Sequence, residues 1–133
     1  MNEKLSLTEL QLIIRDSLHL ALPDFYWVVA EISEIKENYA GHCYLELVEK
    51  QAGERNVRAR ARAIIWNTRY RLLKSLFENV TGESLESGMK ILIRVRVDYS
   101  EIYGLSLIVS DIDPSYTVGE MAVKRQMILK RLE

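Results

Sequence analysis

FYWVVAEISEIKEN from Phe25, GHCYLELVEK from Gly41 and VRARARAIIW from Val57 decide how this chain folds. Each run alternates apolar and polar side chains, the period of a half-buried strand. In the first, Val28, Ala30 and Ile32 share one side, and Trp27, Val29, Glu31 and Ser33 the other. In the second, Cys43, Leu45 and Leu47 oppose His42, Tyr44 and Glu46. In the third, Ala59, Ala61, Ala63 and Ile65 oppose Arg58, Arg60, Arg62, Ile64 and Trp66. One side is apolar and predicts a core face. The other gathers aromatics, a histidine and three arginines, which suits stacking bases while neutralising phosphates.

Upstream, residues 5–20 read as a helix. Ser6 and Glu9 have the spacing of a capping box, and Leu5 with Leu10 that of a hydrophobic staple. Leu7, Leu10, Ile13, Ile14 and Leu18 form its apolar stripe. Residues 21–24 (ALPD) turn the chain into the first strand. Residues 37–41 (ENYAG) join strands one and two, with Gly41 supplying an unusual backbone angle. Residues 51–56 (QAGERN) form a polar hairpin loop.

Downstream, Asn67 or Thr68 caps a second helix predicted to run through Phe77. Its apolar positions are Tyr70, Leu72, Leu73, Leu76 and Phe77, and Arg69, Arg71 and Lys74 lie on its wetter side. Residues 79–88 read as a loop punctuated by Gly82 and Gly88. A fourth strand covers residues 89–99, where Ile91, Ile93, Val95 and Val97 alternate with Lys90, Leu92, Arg94 and Arg96. Residues 100–104 make a tight connection. A fifth strand, residues 105–112, stops at Asp113 and Pro114. A third helix is predicted from Val118 to Glu133, with no C-cap glycine or stop signal.

Five strands with a helix between the third and fourth follow the order of the OB-fold, a five-stranded, partly open Greek-key barrel. The expected class is mainly β with flanking helices. Residues 1–24 form an N-terminal helical segment, 25–114 the barrel and 115–133 a C-terminal helix. A length of 133 residues fits one domain.

Net charge is −1 and the pI about 6.2, so any polyanion must be held by a local basic patch rather than by bulk charge. The single cysteine, Cys43, falls on the core side and reads as a buried thiol. It rules out an internal disulfide and fits a reducing compartment. The N-terminus lacks the basic and apolar regions of a signal peptide. No apolar run reaches the ~20 residues of a membrane helix. The expectation is a cytoplasmic chain with no membrane partner. Cys43, His19 and His42 lack ligand spacing, as do Glu31, Glu34, Glu37, Glu46 and Glu49, so no metal or other cofactor is expected. No nucleophile sits beside an activating base, and no catalytic residue is assigned.

The candidate nucleic-acid-binding residues are Lys36, Asn38, Tyr39, His42, Tyr44, Arg60, Arg62, Trp66, Tyr99 and Tyr103. Arg60 and Arg62, with Arg58 nearer the hairpin, form either a phosphate row or a solvated face paired with Glu31 and Glu46. Tyr44 and Trp66 either stack bases or pack beneath the neighbouring helix. His42 has a base or a phosphate within its chemistry. Lys36, Asn38 and Tyr39 sit in or beside the first loop, and Tyr99 and Tyr103 flank the last hairpin. These are the two loops with which OB-folds grip ligand. Trp27 is read as packing. Arg94 and Arg96 lie on the fourth strand, away from the main binding face.

VAEIS (from Val29) followed by GHCYLEL (from Gly41) resembles the N-terminal domain of the exodeoxyribonuclease VII large subunit, a family with a G-E-I-S-like string and then S-G-H-x-Y-F-x-L. SLTELQ near Ser6 resembles its opening helix, ARAIIW (from Ala61) its third strand, SGMKILIRVRV (from Ser87) its fourth and LIVSDIDP (from Leu107) its fifth. Ala30, Ala40 and Leu45 depart from the family's common glycine, serine and aromatic. The resemblance implies an OB-fold that binds single-stranded DNA and precedes a catalytic domain in the same polypeptide. After that domain comes a helical region that recruits small subunits. It implies that this chain stops inside the helix leading to the catalytic domain, so none of the nuclease residues are carried over and the fragment itself is expected to be non-catalytic. Two other readings use the same face: an RNA-binding OB module of the tRNA-anticodon-binding type, and a structural module that contacts another subunit.

Overall fold

The computed structural model describes residues 4–51, 53 and 55–132. Residues 1–3 of the N-terminal segment, Ala52 and Glu54 of the predicted hairpin loop, and the terminal Glu133 lie outside it. The order is α1 (Leu7–Ala21), β1 (Phe25–Glu37), β2 (Cys43–Lys50), β3 (Val57–Ile65), α2 (Asn67–Thr81), β4 (Lys90–Ser100), β5 (Gly104–Ile112) and α3 (Pro114–Leu132). The strands close into a barrel in the order β1-β2-β3-β5-β4, the five-stranded OB architecture.

Strand β1 holds the barrel together by serving two partners. Phe25 to Glu31 pair antiparallel with β4, and Glu31 to Glu37 pair with β2. The register shifts between Ile32 and Glu34. Ser33 is therefore a bulge residue, and side-chain parity inverts across it. Val28, Ala30 and Ile32 face inward before the bulge, and Ile35 after it. Simple alternation through Ser33 does not survive into the second half of the strand. The bulge is held from outside: Ser87 Oγ donates to the Ser33 carbonyl at 2.7 Å, and the Gly88 N–H donates to that of Ile32 at 2.7 Å.

Between β2 and β3, Cys43, Leu45 and Leu47 oppose Ile65, Ala63 and Ala61 on the inner face. A short parallel contact, Ala63 with Leu107 and Ile64 with Ile108, completes the ring. The core joins these residues to Ile32, Ile91, Ile93, Val95 and Val109, and α2 adds Tyr70, Leu73 and Phe77, the last fully buried. These three sit at helical i, i+3 and i+7 spacing and close one end of the barrel.

Both later helices are longer than their sequence signals suggest. Helix α2 continues past Phe77 to Thr81, where Gly82 adopts a left-handed φ of 76° and its N–H bonds the Glu78 carbonyl. Asn79, Val80 and Thr81 are poor helix formers, so local propensity places the end too early. Helix α3 starts at Pro114 rather than Val118. Asp113 Oδ1 accepts from the Ser115 N–H at 3.1 Å, and proline suits the first helical position. The Asp-Pro pair thus ends a strand and starts a helix.

The capping box of α1 forms as expected, with Ser6 and Glu9 bonding each other's backbone N–H at 3.1 and 3.0 Å. No residue of α1 is fully buried. Of its predicted stripe, Ile14 and Leu18 are half-buried, while Leu7, Leu10 and Ile13 are exposed. The helix is tied to β4 by polar links, among them Gln11 to the Tyr99 hydroxyl and His19 Nε2 at 3.5 Å from Asp98. Trp27 is not packed as its sequence position suggests: it is 52% exposed on the outer face of β1. Among the described residues no helix is long and apolar enough to cross a membrane.

Two outcomes follow from this core. Phe77→Ala should cost ~3–5 kcal/mol in urea unfolding, whereas Leu72→Ala, on the exposed side of the same helix, should stay within ~0.5 kcal/mol. Equal losses would refute the assignment of the buried face. Burial also pushes the Cys43 thiol up to about 11. At pH 8 the native protein should resist iodoacetamide and react once denatured; ready alkylation of the native state would contradict this.

Candidate nucleic-acid interface

The bulge at Ser33 brings Lys36 to the outer face, opposite Tyr44, and Tyr44 in turn lies opposite Ile64. Glu34, Glu46 and Arg62 form the next row, and Glu31, Val48 and Arg60 the one after. The outer surface of β1–β3 therefore presents one aromatic, three basic residues and three acidic ones within three rows. One of the three basic residues pairs with a carboxylate of these rows, and Glu31 pairs with a lysine at the end of β2. Arg60 Nη1 lies 2.7 Å from Glu46 Oε1, and Lys50 Nζ lies 3.5 Å from Glu31 Oε2. Exposed pairs of this kind contribute ~0–1 kcal/mol, so a phosphate can displace the carboxylate.

Arg62 behaves differently. Its Nη2 donates to the Tyr103 carbonyl in the β4–β5 turn. Gly104, the next residue, has a φ of 77°, which favours glycine there. This contact spans the gap between β3 and the last hairpin. It borders a cleft of about 440 Å³ lined by Tyr44, Arg62, Trp66, Tyr103, Ser106 and Ile108, a volume within the range of ligand sites. Tyr44 and Trp66 are 43% and 45% exposed, so both rings are open to a ligand.

The first loop is built as a rigid wall beside this cleft. Asn38 Oδ1 accepts from the N–H groups of Ala40 and His42 at 3.0 and 2.9 Å, and its Nδ2 donates to the Tyr44 hydroxyl at 3.4 Å. Asn67 Nδ2 donates to the Ala40 carbonyl at 3.2 Å. Gly41 has a φ of 87°, and a Cβ there would sit 3.4 Å from that of Asn67. His42 Nδ1 accepts from the Asn67 N–H at 2.9 Å and so caps α2, whose own N-cap residue Trp66 has no side-chain oxygen. The His42 ring meets Trp66 edge-on, with centroids 4.9 Å apart. Glu37 accepts from the Tyr70 hydroxyl at 2.5 Å and from Lys74 at 3.4 Å, a second tie between β1 and α2.

Tyr44, Arg62, Trp66 and Tyr103 thus converge on one cleft, with Arg60 and Lys36 on the same face. Tyr39 stands fully exposed in the first loop. Asn38 and His42 hold the wall in place through bonds to protein groups. Tyr99 is not brought to the cleft: it is half-buried, and its hydroxyl is engaged by Gln11 of α1. Ser106 and Ile108 line the cleft although neither carries a sequence signal for it. The parallel β3–β5 pairing puts Ile108 beside Ile64 and brings Ser106 to the same side.

Residues 5–113 match a family described as the OB-fold nucleic acid binding domain. The exodeoxyribonuclease 7 large subunit of Deinococcus radiodurans is 32% identical over 134 aligned residues, covering 96% of this chain. The chain spans 31% of that relative's length. Two solved structures of a mitochondrial single-stranded DNA binding protein from S. cerevisiae are similar at 16% and 15% identity. Each covers 68% of this chain and 92% of its own, with TM-scores of 0.46 and 0.42.

The Glu37–Tyr70 bond has a pH signature. Accepting the hydroxyl proton holds the Glu37 carboxyl below the ordinary carboxylate range, with Lys74 helping. Its contribution to stability is then present above the unfolded-state value of about 4.3 and is lost as pH falls through the lower folded-state value. The difference in unfolding free energy between wild type and Glu37→Gln should be flat near neutrality and shrink on acidification below about pH 4.3. A difference that widens in acid would contradict the assignment.

Proposed function

This chain belongs to the OB-fold nucleic acid binding domain family, and from that premise we propose that it binds single-stranded DNA as the substrate-holding domain of an exodeoxyribonuclease VII large subunit. The observation that carries this reading is the convergence of Tyr44, Trp66 and Arg62 on one open cleft. Two exposed rings beside a guanidinium fit unpaired bases and their phosphates, whereas a duplex hides its base faces. The likeness to the Deinococcus radiodurans large subunit supports the assignment to that enzyme. In that role the domain presents a strand to a catalytic domain of the same polypeptide, which in turn works with small subunits.

The strand crosses the outer face of β1–β3. Arg60 and Arg62 take phosphates, with Arg60 exchanging Glu46 for the ligand. Tyr44 lies beneath one base and Trp66 beside the next, while Tyr103 and Tyr39 close on the strand from the two loops. Lys36 adds charge beside Tyr44. Glu46 and Glu34 compete with phosphate for the same cations, which makes binding modest and sensitive to salt.

Titration with oligo-dT at several salt concentrations separates these roles. Arg60→Ala with Arg62→Ala should flatten the log–log salt slope by about 1.4, at ~0.7 per lost phosphate contact. Tyr44→Ala should weaken binding by ~1–3 kcal/mol at an unchanged slope, because stacking releases no counterions. An arginine pair with no effect on the slope would remove the strand from this face. A clear preference for RNA over a DNA oligomer of matched sequence would overturn the choice of DNA.

A further inference from the structure

Beyond the cleft, the outer face of the β4–β1 ladder carries three large apolar side chains in succession. Phe25, Trp27 and Val29 are 45%, 52% and 46% exposed. Their cross-strand neighbours on β4 are Arg96, Arg94 and Leu92. The Arg94 guanidinium sits over the Phe25 ring, 4.2 Å from its centroid, so a cation–aromatic stack is already assembled.

This patch shares a register row with the cleft. Tyr44 pairs with Ile64, Ile64 with Ile108, Ile108 with Arg96, and Arg96 with Phe25. Four interstrand steps of ~4.8 Å put the two aromatic platforms about 19 Å apart around the barrel. The arginines alternate with the rings across the strands, and Asp111 is the carboxylate in register with Arg94. A protein partner seated on the rings would have to bury two guanidinium groups, at a desolvation cost of several kcal/mol per unpaired ion. A nucleic-acid strand offers bases to the rings and phosphates to the arginines.

We propose that a single strand leaving the Tyr44–Trp66 cleft crosses Ile108 and Arg96 and stacks further bases on Phe25 and Trp27, making the outer β1–β4 face a second binding site. This rests on the reading of the cleft given above. The barrel then occludes more nucleotides than the cleft alone holds, toward the upper part of the ~4–16 that single OB modules cover.

Oligomer length tests it. Phe25→Ala with Trp27→Ala should weaken binding of dT30 by about tenfold or more and leave dT8 unchanged. The two tryptophans supply an independent readout. In Trp66→Phe, where Trp27 is the reporter, dT30 should quench fluorescence and dT8, at a concentration that just fills the cleft, should not. In Trp27→Phe, where Trp66 reports, both should quench. Wild-type affinity of the double variant for dT30, or a loss shared equally by both lengths, overturns the second site while leaving the cleft intact. So does self-association of the wild type that the double variant abolishes without any length effect, which would assign the patch to a protein contact. Silence of Trp66 toward both oligomers instead overturns the cleft, and the second site with it.

Discussion

At Ser33 one residue of β1 drops out of the ladder with β2, and the carbonyls around it are taken up by Ser87 and Gly88. A strand that must pair with β4 along one half and β2 along the other has to bend, and a bulge lets it do so while keeping an apolar face inward on both sides. The inner face passes from Ile32 to Ile35, and the outer face passes to Lys36. Without the inversion, Lys36 would point into the core and Ile35 into water. The outer rows that carry Tyr44, Arg62 and Arg60 depend on the same register.

The cleft is then fixed by contacts among elements that are distant in sequence. Asn38 braces the first loop from within, Ala40 and His42 bind it to Asn67 at the start of α2, and Arg62 binds β3 to the last turn. Two walls are held by hydrogen bonds, so the rings of Tyr44 and Trp66 stay open instead of collapsing on each other. Preorganisation of this kind lowers the ordering cost that binding would otherwise incur. The thiol of Cys43 plays no part in it; it is inside the barrel, with its proton held by burial.

Although the chain has a net charge of −1, the outer face of β1–β3 brings Lys36, Arg60 and Arg62 together. Glu46 partners Arg60 and Glu31 partners Lys50, so part of the basic row is neutralised in the free protein. Arg62 is oriented by a neutral carbonyl rather than a carboxylate. On the proposed reading, a ligand phosphate competes with Glu46 for Arg60 and reaches Arg62 without displacing a carboxylate from it. That pattern favours exchange along the strand over tight anchoring at one point.

The sequence by itself determined the strand and helix order, the inward set Cys43, Leu45, Leu47, Ile91, Ile93 and Val95, and the outward arginines of β3. Period-two alternation and the cap at Ser6 are local signals, carried by neighbours in the chain. It also placed Tyr44, Arg60 and Arg62 on one face, because side-chain parity within a strand needs no tertiary information. It did not place the parity switch at Ser33, the last turn of α2 or the start of α3 at Pro114, where partners far along the chain outweigh weak local preference. Tyr99 shows the same limit: its position beside the last hairpin is legible, but its direction is set by Gln11, 88 residues away. Only the tertiary structure joined Ile108 and Ser106 to the cleft, gave His42 to the helix end and left Trp27 exposed beside Arg94. Barrel closure through a short parallel β3–β5 contact decides all the cross-barrel neighbours, and that pairing leaves no periodic trace in either strand.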